Sequence, residues 1–253
     1  MYTKSYDEDL LKKIGNEEKR FTSQEHSYST EKQIGREFSS KEALLRYFLQ
    51  NCSSKLCALA LLINIIKEKN YKNIISLGAG SCVLEYLLKY SVSEDSLVVA
   101  TDYDSFSIKK AKEYFPSIVA CEYDFVNEDI NEVTDKIKPG FDIAVFFASS
   151  YIMDDNEFVK VFSGLRKSGV KSIVDFQPAF ISYKEIPREI FFIIKKIARK
   201  IKIINKIKPE AYKGKFHGYA RTRNEFRRLY EKAGYKIEKE TKAGCYPYVA
   251  IIS

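Results

Sequence analysis

From Asn73 onward, short runs rich in Val, Ile and Phe alternate with stretches whose apolar residues recur at helical spacing. This is the pattern of βαβ units wound around a parallel sheet. Strands are expected at 74–77, 97–101, 118–123, 141–147 and 171–176, with helices at 81–90, 105–115, 127–137 and 156–167 between and after them. Continuous apolar runs such as Ile143-Ala144-Val145-Phe146-Phe147 suit strands covered by helices on both faces. A helix over 222–233, opened by a capping box of Thr222 with Glu225, precedes two final strands at 235–240 and 246–252. The connection between those strands, 241–245, is too short for a parallel crossover, so the last strand must run antiparallel.

Before this core, Ala43, Leu44, Tyr47 and Phe48, and then Leu56 to Ile66, predict two helices with a break near Asn51 to Ser54. The apolar stretch is too short to span a bilayer and reads as a buried helix. Residues 1–40 are polar, so 1–70 is expected to form a helical arm or cap and 71–253 the main domain. Between the fifth strand and the last helix lies an insertion at about 178–220. Its segment 186–208 places Ile190, Ile194, Ile197, Ile201 and Ile204 on one helical face and Lys195, Arg199, Lys202 and Lys206 on others.

Composition changes this picture mainly through charge. The chain of 253 residues carries a formal net charge of +8. Residues 184–236 hold 17 Lys/Arg against 5 Asp/Glu, or +12, which leaves −4 for the remainder. The basicity is therefore local and favours an anionic partner. Met1 to Asp9 includes Lys4, Asp7, Glu8 and Asp9 with no apolar run behind them. Neither a secretory signal nor a transit peptide is read there, and a cytoplasmic protein is expected. Five scattered cysteines, Cys52, Cys57, Cys82, Cys121 and Cys245, form neither metal knuckles nor a disulfide framework, and are expected as free, mostly buried thiols.

The candidate chemistry begins at Ser76-Leu77-Gly78-Ala79-Gly80-Ser81, a strand that ends in a glycine turn and passes into a helix. Such a turn lets backbone amides approach a ligand, with a plain strand-to-helix connection as the alternative reading of the loop alone. Asp102 ends the second strand about twenty residues on, where a carboxylate can accept both hydroxyl hydrogens of a ribose. A nicotinamide dehydrogenase shares these two features, but its fingerprint requires Gly or Ala at the position of Val83. An NAD-dependent oxidoreductase is therefore the weaker alternative.

The order of GxG, strand-end acid and a third strand ending in Asp124-Phe125 resembles the class I S-adenosylmethionine (SAM)-dependent methyltransferases. The resemblance covers residues 74 to 253. It implies a Rossmann-like α/β fold with a seven-stranded, mostly parallel sheet, an antiparallel last strand and helices on both faces. It also implies SAM as cofactor and S-adenosyl-L-homocysteine (SAH) as product. By this resemblance Leu77, Gly78, Ala79 and Gly80 contact the methionyl part, with the loop amides facing its carboxylate. Asp102 holds the ribose and Asp124 meets the adenine amino group. Tyr103 and Phe125 wall the adenine ring, and Ala148 lines the sulfonium. Ser149, Ser150 and Tyr151 follow the fourth strand, where the family lines the substrate pocket.

Several acceptor classes can be set aside. The segment Ala148-Ser149-Ser150-Tyr151 lacks the Asn/Asp-Pro-Pro-aromatic motif of base amino-methylating enzymes, and no cysteine follows a proline as carbon methylation of cytosine requires. The acid and Asp-Asn positions of metal-dependent catechol-type enzymes are also absent, so no metal is expected; Asp154 and Asp155 read instead as the start of the fourth helix. For a hydroxyl acceptor, His217 in the glycine-punctuated loop 213–221 is the candidate general base, with Tyr219 and Arg221 beside it as substrate-binding residues. An insertion that roofs the acceptor pocket in small-molecule methyltransferases is basic here, which favours a small anionic or phosphorylated acceptor, such as a nucleotide-linked sugar, taken on oxygen. The same basic segment suits an RNA-binding methyltransferase as the alternative, and 186–208 also suits peripheral membrane docking.

Overall fold

The computed structural model describes residues 2–3, 38–134, 140–181 and 219–253. Its centre is a seven-stranded sheet built from β2 (Asn73–Leu77), β3 (Leu97–Asp102), β4 (Val119–Glu122), β5 (Ile143–Phe147), β6 (Ser172–Gln177), β9 (Ile237–Ala243) and β10 (Tyr246–Ile252). The spatial order is β4-β3-β2-β5-β6-β10-β9. Every pairing from β4 to β6 is parallel, and β10 runs antiparallel to both β6 and β9. This is the arrangement expected from the short 241–245 connection.

Alternation along each strand divides the apolar residues into two cores. Ile74, Val98, Ala100, Ile143, Val145, Phe147, Val174, Phe176, Val249 and Ile251 face one side. They pack against α1 (Lys41–Asn51), α2 (Ser53–Lys69), α3 (Val83–Ser91) and α4 (Ser105–Tyr114). Ile75, Leu77, Val99, Ala144, Phe146, Ile173, Tyr248, Ala250 and Ile252 face the other. There they meet the short α5 (Asn131–Thr134), α6 (Asp155–Lys167) and α7 (Arg223–Lys232). Phe158 and Phe162 of α6 stack with ring centroids 4.1 Å apart, and Tyr230 of α7 closes against both. A strand buried on both faces has no stable place except between two helical layers, so the continuous apolar run of β5 and the fully buried β6 fit the three-layer architecture.

The leading helices belong to the same core. Leu44 and Phe48 of α1, and Ala58, Leu59, Leu62, Ile65 and Ile66 of α2, are buried in it. The two helices meet at 93° at Cys52, the break expected there. Gly244, in the turn between β9 and β10, lies so close to α2 that an added Cβ would sit 1.7 Å from the Ser54 carbonyl. The final hairpin therefore holds the start of α2 in place. No single helix among the described residues is long and apolar enough to cross a membrane.

Several expectations are corrected. β4 is shorter than 118–123, although the Tyr123 amide still donates to the Asp102 carbonyl. The helix expected over 127–137 begins only at Asn131, because Asp124 accepts from the amides of Val126 and Asn127 and winds the preceding segment into turns; 135–139 lie outside the described residues. The described ends of the 178–220 insertion are strands. β7 (Phe180–Ile181) pairs in parallel with β8 (Tyr219–Thr222), and β8 pairs antiparallel with β1 (Tyr2–Thr3). The basic helix at 186–208 and His217 lie outside the described residues. The five cysteines are free, as expected, but only Cys82 is buried; Cys57, beside the Gly244 turn, and Cys245, in that turn, are exposed. The expected capping box of Thr222 with Glu225 opens α7, and Asp154, expected at the start of the fourth helix, opens α6 in a second box with Glu157.

Candidate active site

The strand order reverses at β2, whose neighbours β3 and β5 lead away in opposite directions. In a doubly wound sheet the crevice at such a reversal, beyond the carboxyl ends of the strands, is where ligands bind. The glycine turn lies there. Gly78 and Gly80 have φ of +75° and +54°, values that side-chain-bearing residues rarely adopt. At Gly78 space matters as well: an added Cβ would lie 2.5 Å from Ser149 Cβ and 3.3 Å from Phe125 Cε1. The turn after β2, the segment after β5 and the turn after β4 thus converge at one point, which Ser149 secures by donating its hydroxyl to the Leu77 carbonyl. At Gly80 the space beside the backbone is open, with no atom within 4 Å of an added Cβ.

Asp102 ends β3 and is only 7% exposed. Its Oδ2 accepts from the Gly80 amide at 2.8 Å and its Oδ1 from the Asp104 amide at 3.0 Å. Burial raises its pKa to about 6, against the lowering effect of those two amides, and the nearby acids Asp104 and Asp124 push it the same way as burial. Asp104 caps α4 by accepting from the Ser107 amide and hydroxyl.

The loop amides take a different role from the one expected. Those of Gly78 and Ala79 both donate to the Thr101 carbonyl, at 2.9 and 2.8 Å, and that of Gly80 donates to Asp102. They hold the loop against β3, so they do not face a ligand carboxylate. At the start of α3, Cys82 at φ +56° supplies no side-chain cap to the first-turn amides.

The other expected residues divide into two groups. Tyr103 follows Asp102 and is partly exposed, Phe125 is buried beside Gly78, and Ala148 takes a left-handed conformation with φ +57° immediately after β5. These lie around the crevice. Asp124 does not point its carboxylate into it freely, because the group accepts from the Val126 amide and from the Asn127 amide and side chain.

Ser150 and Arg221, expected to meet substrate, are instead bound within the protein. Ser150 is fully buried and donates to Asp175 Oδ1 at 2.6 Å, while Tyr230 and Gln177 donate to Asp175 Oδ2 at 2.7 Å each. Arg221 is 1% exposed; its guanidinium donates to the Met153 carbonyl and to Asp155, and lies near the rings of Phe158, Tyr219 and Phe226. A charge taken out of water must be paired, and these contacts pair it inside the fold. Burial raises the Asp175 pKa, against three hydrogen bonds and the Arg221 charge that lower it. Tyr151, partly exposed beside Ser150, has its phenol pushed up to about 12 by burial.

One buried acid at the crevice was not anticipated. Glu85, in the first turn of α3, is 1% exposed and accepts a hydrogen bond from the Ser76 hydroxyl at 2.6 Å. Its position one turn before Leu88, on the buried face of the helix, was the available sequence signal.

No protein-family model matches this chain, and no curated protein sequence matches it. Solved structures do. The pyocyanin biosynthetic protein PhzM superposes with a TM-score of 0.58 at 14% identity, covering 89% of this chain and 60% of its own. Human N-acetylserotonin methyltransferase in complex with SAM gives 0.55 at 15% identity, covering 91% of this chain and 56% of its own. Magnesium protoporphyrin IX methyltransferase from Synechocystis PCC 6803 with bound SAH gives 0.53 at 12% identity, covering 79% and 82%. The chain spans about three fifths of the length of the first two. With the reversal at β2, the antiparallel β10 and the glycine turn beside a strand-end acid, these likenesses establish that the chain has the fold of the class I SAM-dependent methyltransferases.

Proposed function

We propose that this chain is a SAM-dependent methyltransferase acting on a small acceptor. The observation that carries the reading is the joining of Gly80 and Asp102 by a 2.8 Å hydrogen bond at the point where the strand order reverses. Open space beside Gly80 and a strand-end carboxylate next to it fit a ligand that combines a small charged chain with a ribose. When bound, SAM supplies a methyl group on a sulfonium, which an acceptor takes by in-line displacement with loss of charge. Asp102 would hold the ribose hydroxyls, Tyr103 and Phe125 the adenine, and Gly80 with the start of α3 the methionyl end. Ala148, Ser149 and Tyr151 border the acceptor side. Alignment of the acceptor with the methyl group supplies much of the catalysis in such a reaction, so few reacting side chains are needed.

The acceptor is read as small and anionic, taken on oxygen, because 184–236 carries +12 and small-molecule methyltransferases, which the sequence resembles, roof the acceptor pocket with an insertion at this point in the chain. His217 remains the candidate general base. The same charge supports RNA as the alternative acceptor. Incubating the protein with methyl-labelled SAM and a metabolite extract, followed by mass spectrometry, tests the reading; label in a small anionic product is expected. Label in RNA, together with RNA binding that falls steeply with salt, would select the alternative, and no transfer to either would refute both.

A further inference from the structure

Beneath the glycine turn the protein buries negative charge without matching positive charge. Glu85 and Asp102 are 1% and 7% exposed, and the Asp102 charge raises the Glu85 pKa. Glu85 Oε1 is bonded to Ser76, while Oε2 is buried with no hydrogen-bond partner. A buried carboxylate oxygen left unpaired is costly, and a fold would ordinarily remove it by substitution to an apolar residue of similar size. The groups that act on Glu85 are the Ser76 hydroxyl from β2, Asp102 from β3 and Lys55 from α2, while Glu85 in turn raises the Cys82 thiol before α3 and the Tyr246 phenol from β10. Only Lys55 is cationic, so the cluster is short of positive charge.

Resting on the methyltransferase reading, we infer that Glu85 is a charge-discriminating residue, which favours the sulfonium of SAM over the neutral thioether of SAH through the unpaired carboxylate beneath the cofactor loop. In the transfer the sulfur–methyl bond breaks, the acceptor–methyl bond forms, and the electron pair returns to sulfur, so the cofactor loses its positive charge while Glu85 stays in place. The ammonium, the carboxylate and the ribose hydroxyls are common to both forms; the sulfonium is what differs. The attraction is therefore present before the reaction and absent after it, and product leaves a site that no longer holds it. Burial raises the Glu85 pKa to about 7. A nearby cation lowers it, so SAM binding at neutral pH expels a fraction of a proton that SAH binding does not.

Calorimetric titration of the full chain with SAM and with SAH tests this without turnover. In the wild type at pH 7, enthalpies measured in phosphate and in Tris should reveal proton release with SAM and less or none with SAH. The preference for SAM over SAH should also grow between pH 6 and 8. Glu85→Gln, which keeps the Ser76 contact, should weaken SAM about tenfold and leave SAH within about twofold, the scale of one charge pair at intermediate dielectric; Glu85→Asp should restore part of the preference. Equal weakening of both ligands overturns the inference, since that is the signature of packing or of pairing with the shared ammonium. Equal proton release for both ligands in the wild type overturns it even if the variant fails to fold. Absence of binding by either ligand would refute the methyltransferase reading itself.

Discussion

At the carboxyl ends of β2 and β3 the crevice is made of backbone: two left-handed glycines, three loop amides bonded to β3, and a single carboxylate that braces them. At the carboxyl ends of β5 and β6 it is made of side chains, and these bond mostly to one another. Ser150, Gln177 and Tyr230 all converge on Asp175, and Arg221 is held by Met153 and Asp155. The first end spends its amides on holding the turn against β3 and leaves open space beside Gly80. The second uses several of its polar groups to hold the architecture, so a polar residue near the acceptor crevice is no guide to the acceptor.

The contrast can be broken most sharply at Asp102. Replacing it with Ala removes the acceptor for the Gly80 and Asp104 amides and for the proposed ribose contacts, and SAM affinity should fall by about 100-fold or more in calorimetry, the scale of two hydrogen bonds from a ribose to a carboxylate. Asp175→Ala should behave oppositely. It leaves the buried Ser150 and Tyr230 hydroxyls without their acceptor and removes one of the two acceptors of the Gln177 amide, and should cost about 3 kcal/mol in urea unfolding, with SAM affinity changed by no more than a few-fold. A large loss of SAM affinity there would dissolve the distinction between the two ends.

Gly78→Ala lies between these cases, since a Cβ meets Ser149 and the φ of +75° is unfavourable. A stability loss of about 2 kcal/mol together with weaker SAM binding is expected, measured by thermal unfolding with and without ligand. The smallest effect concerns pH. Glu85 and Asp102 have folded pKa values of about 7 and about 6, above those of the unfolded chain. The folded form therefore holds protons that the unfolded form releases, and stability present at pH 4 should decline as pH rises through 6 to 7. Glu85→Gln should remove about 1–2 kcal/mol of that decline, seen as a flatter profile of urea midpoints against pH.

Much of the fold was legible because its determinants are local and repeated. Short apolar runs rich in Val, Ile and Phe and bounded by turns suit strands covered on both faces, and the short 241–245 connection permits only an antiparallel return. Gly78, Gly80 and Asp102 were legible for a similar reason: positive φ and a strand-end acid leave marks at single positions. Glu85 was not, because an acid in the first turn of a helix ordinarily faces solvent near the positive end of the helix. Asp175, Ser150 and Arg221 were misread or missed because their roles depend on partners from 2 to 68 residues away in sequence. Asp124 was read through the family pattern, whereas the residues immediately after it, Val126 and Asn127, determine where its carboxylate goes.

The most direct test of the central claim is a calorimetric titration of the wild-type chain with SAM, SAH and NAD⁺ under the same conditions. One-to-one binding of SAM and SAH with no heat from NAD⁺ is predicted, since Val83 stands where a dinucleotide fingerprint requires Gly or Ala. Binding of NAD⁺ with no response to either SAM or SAH would contradict the account.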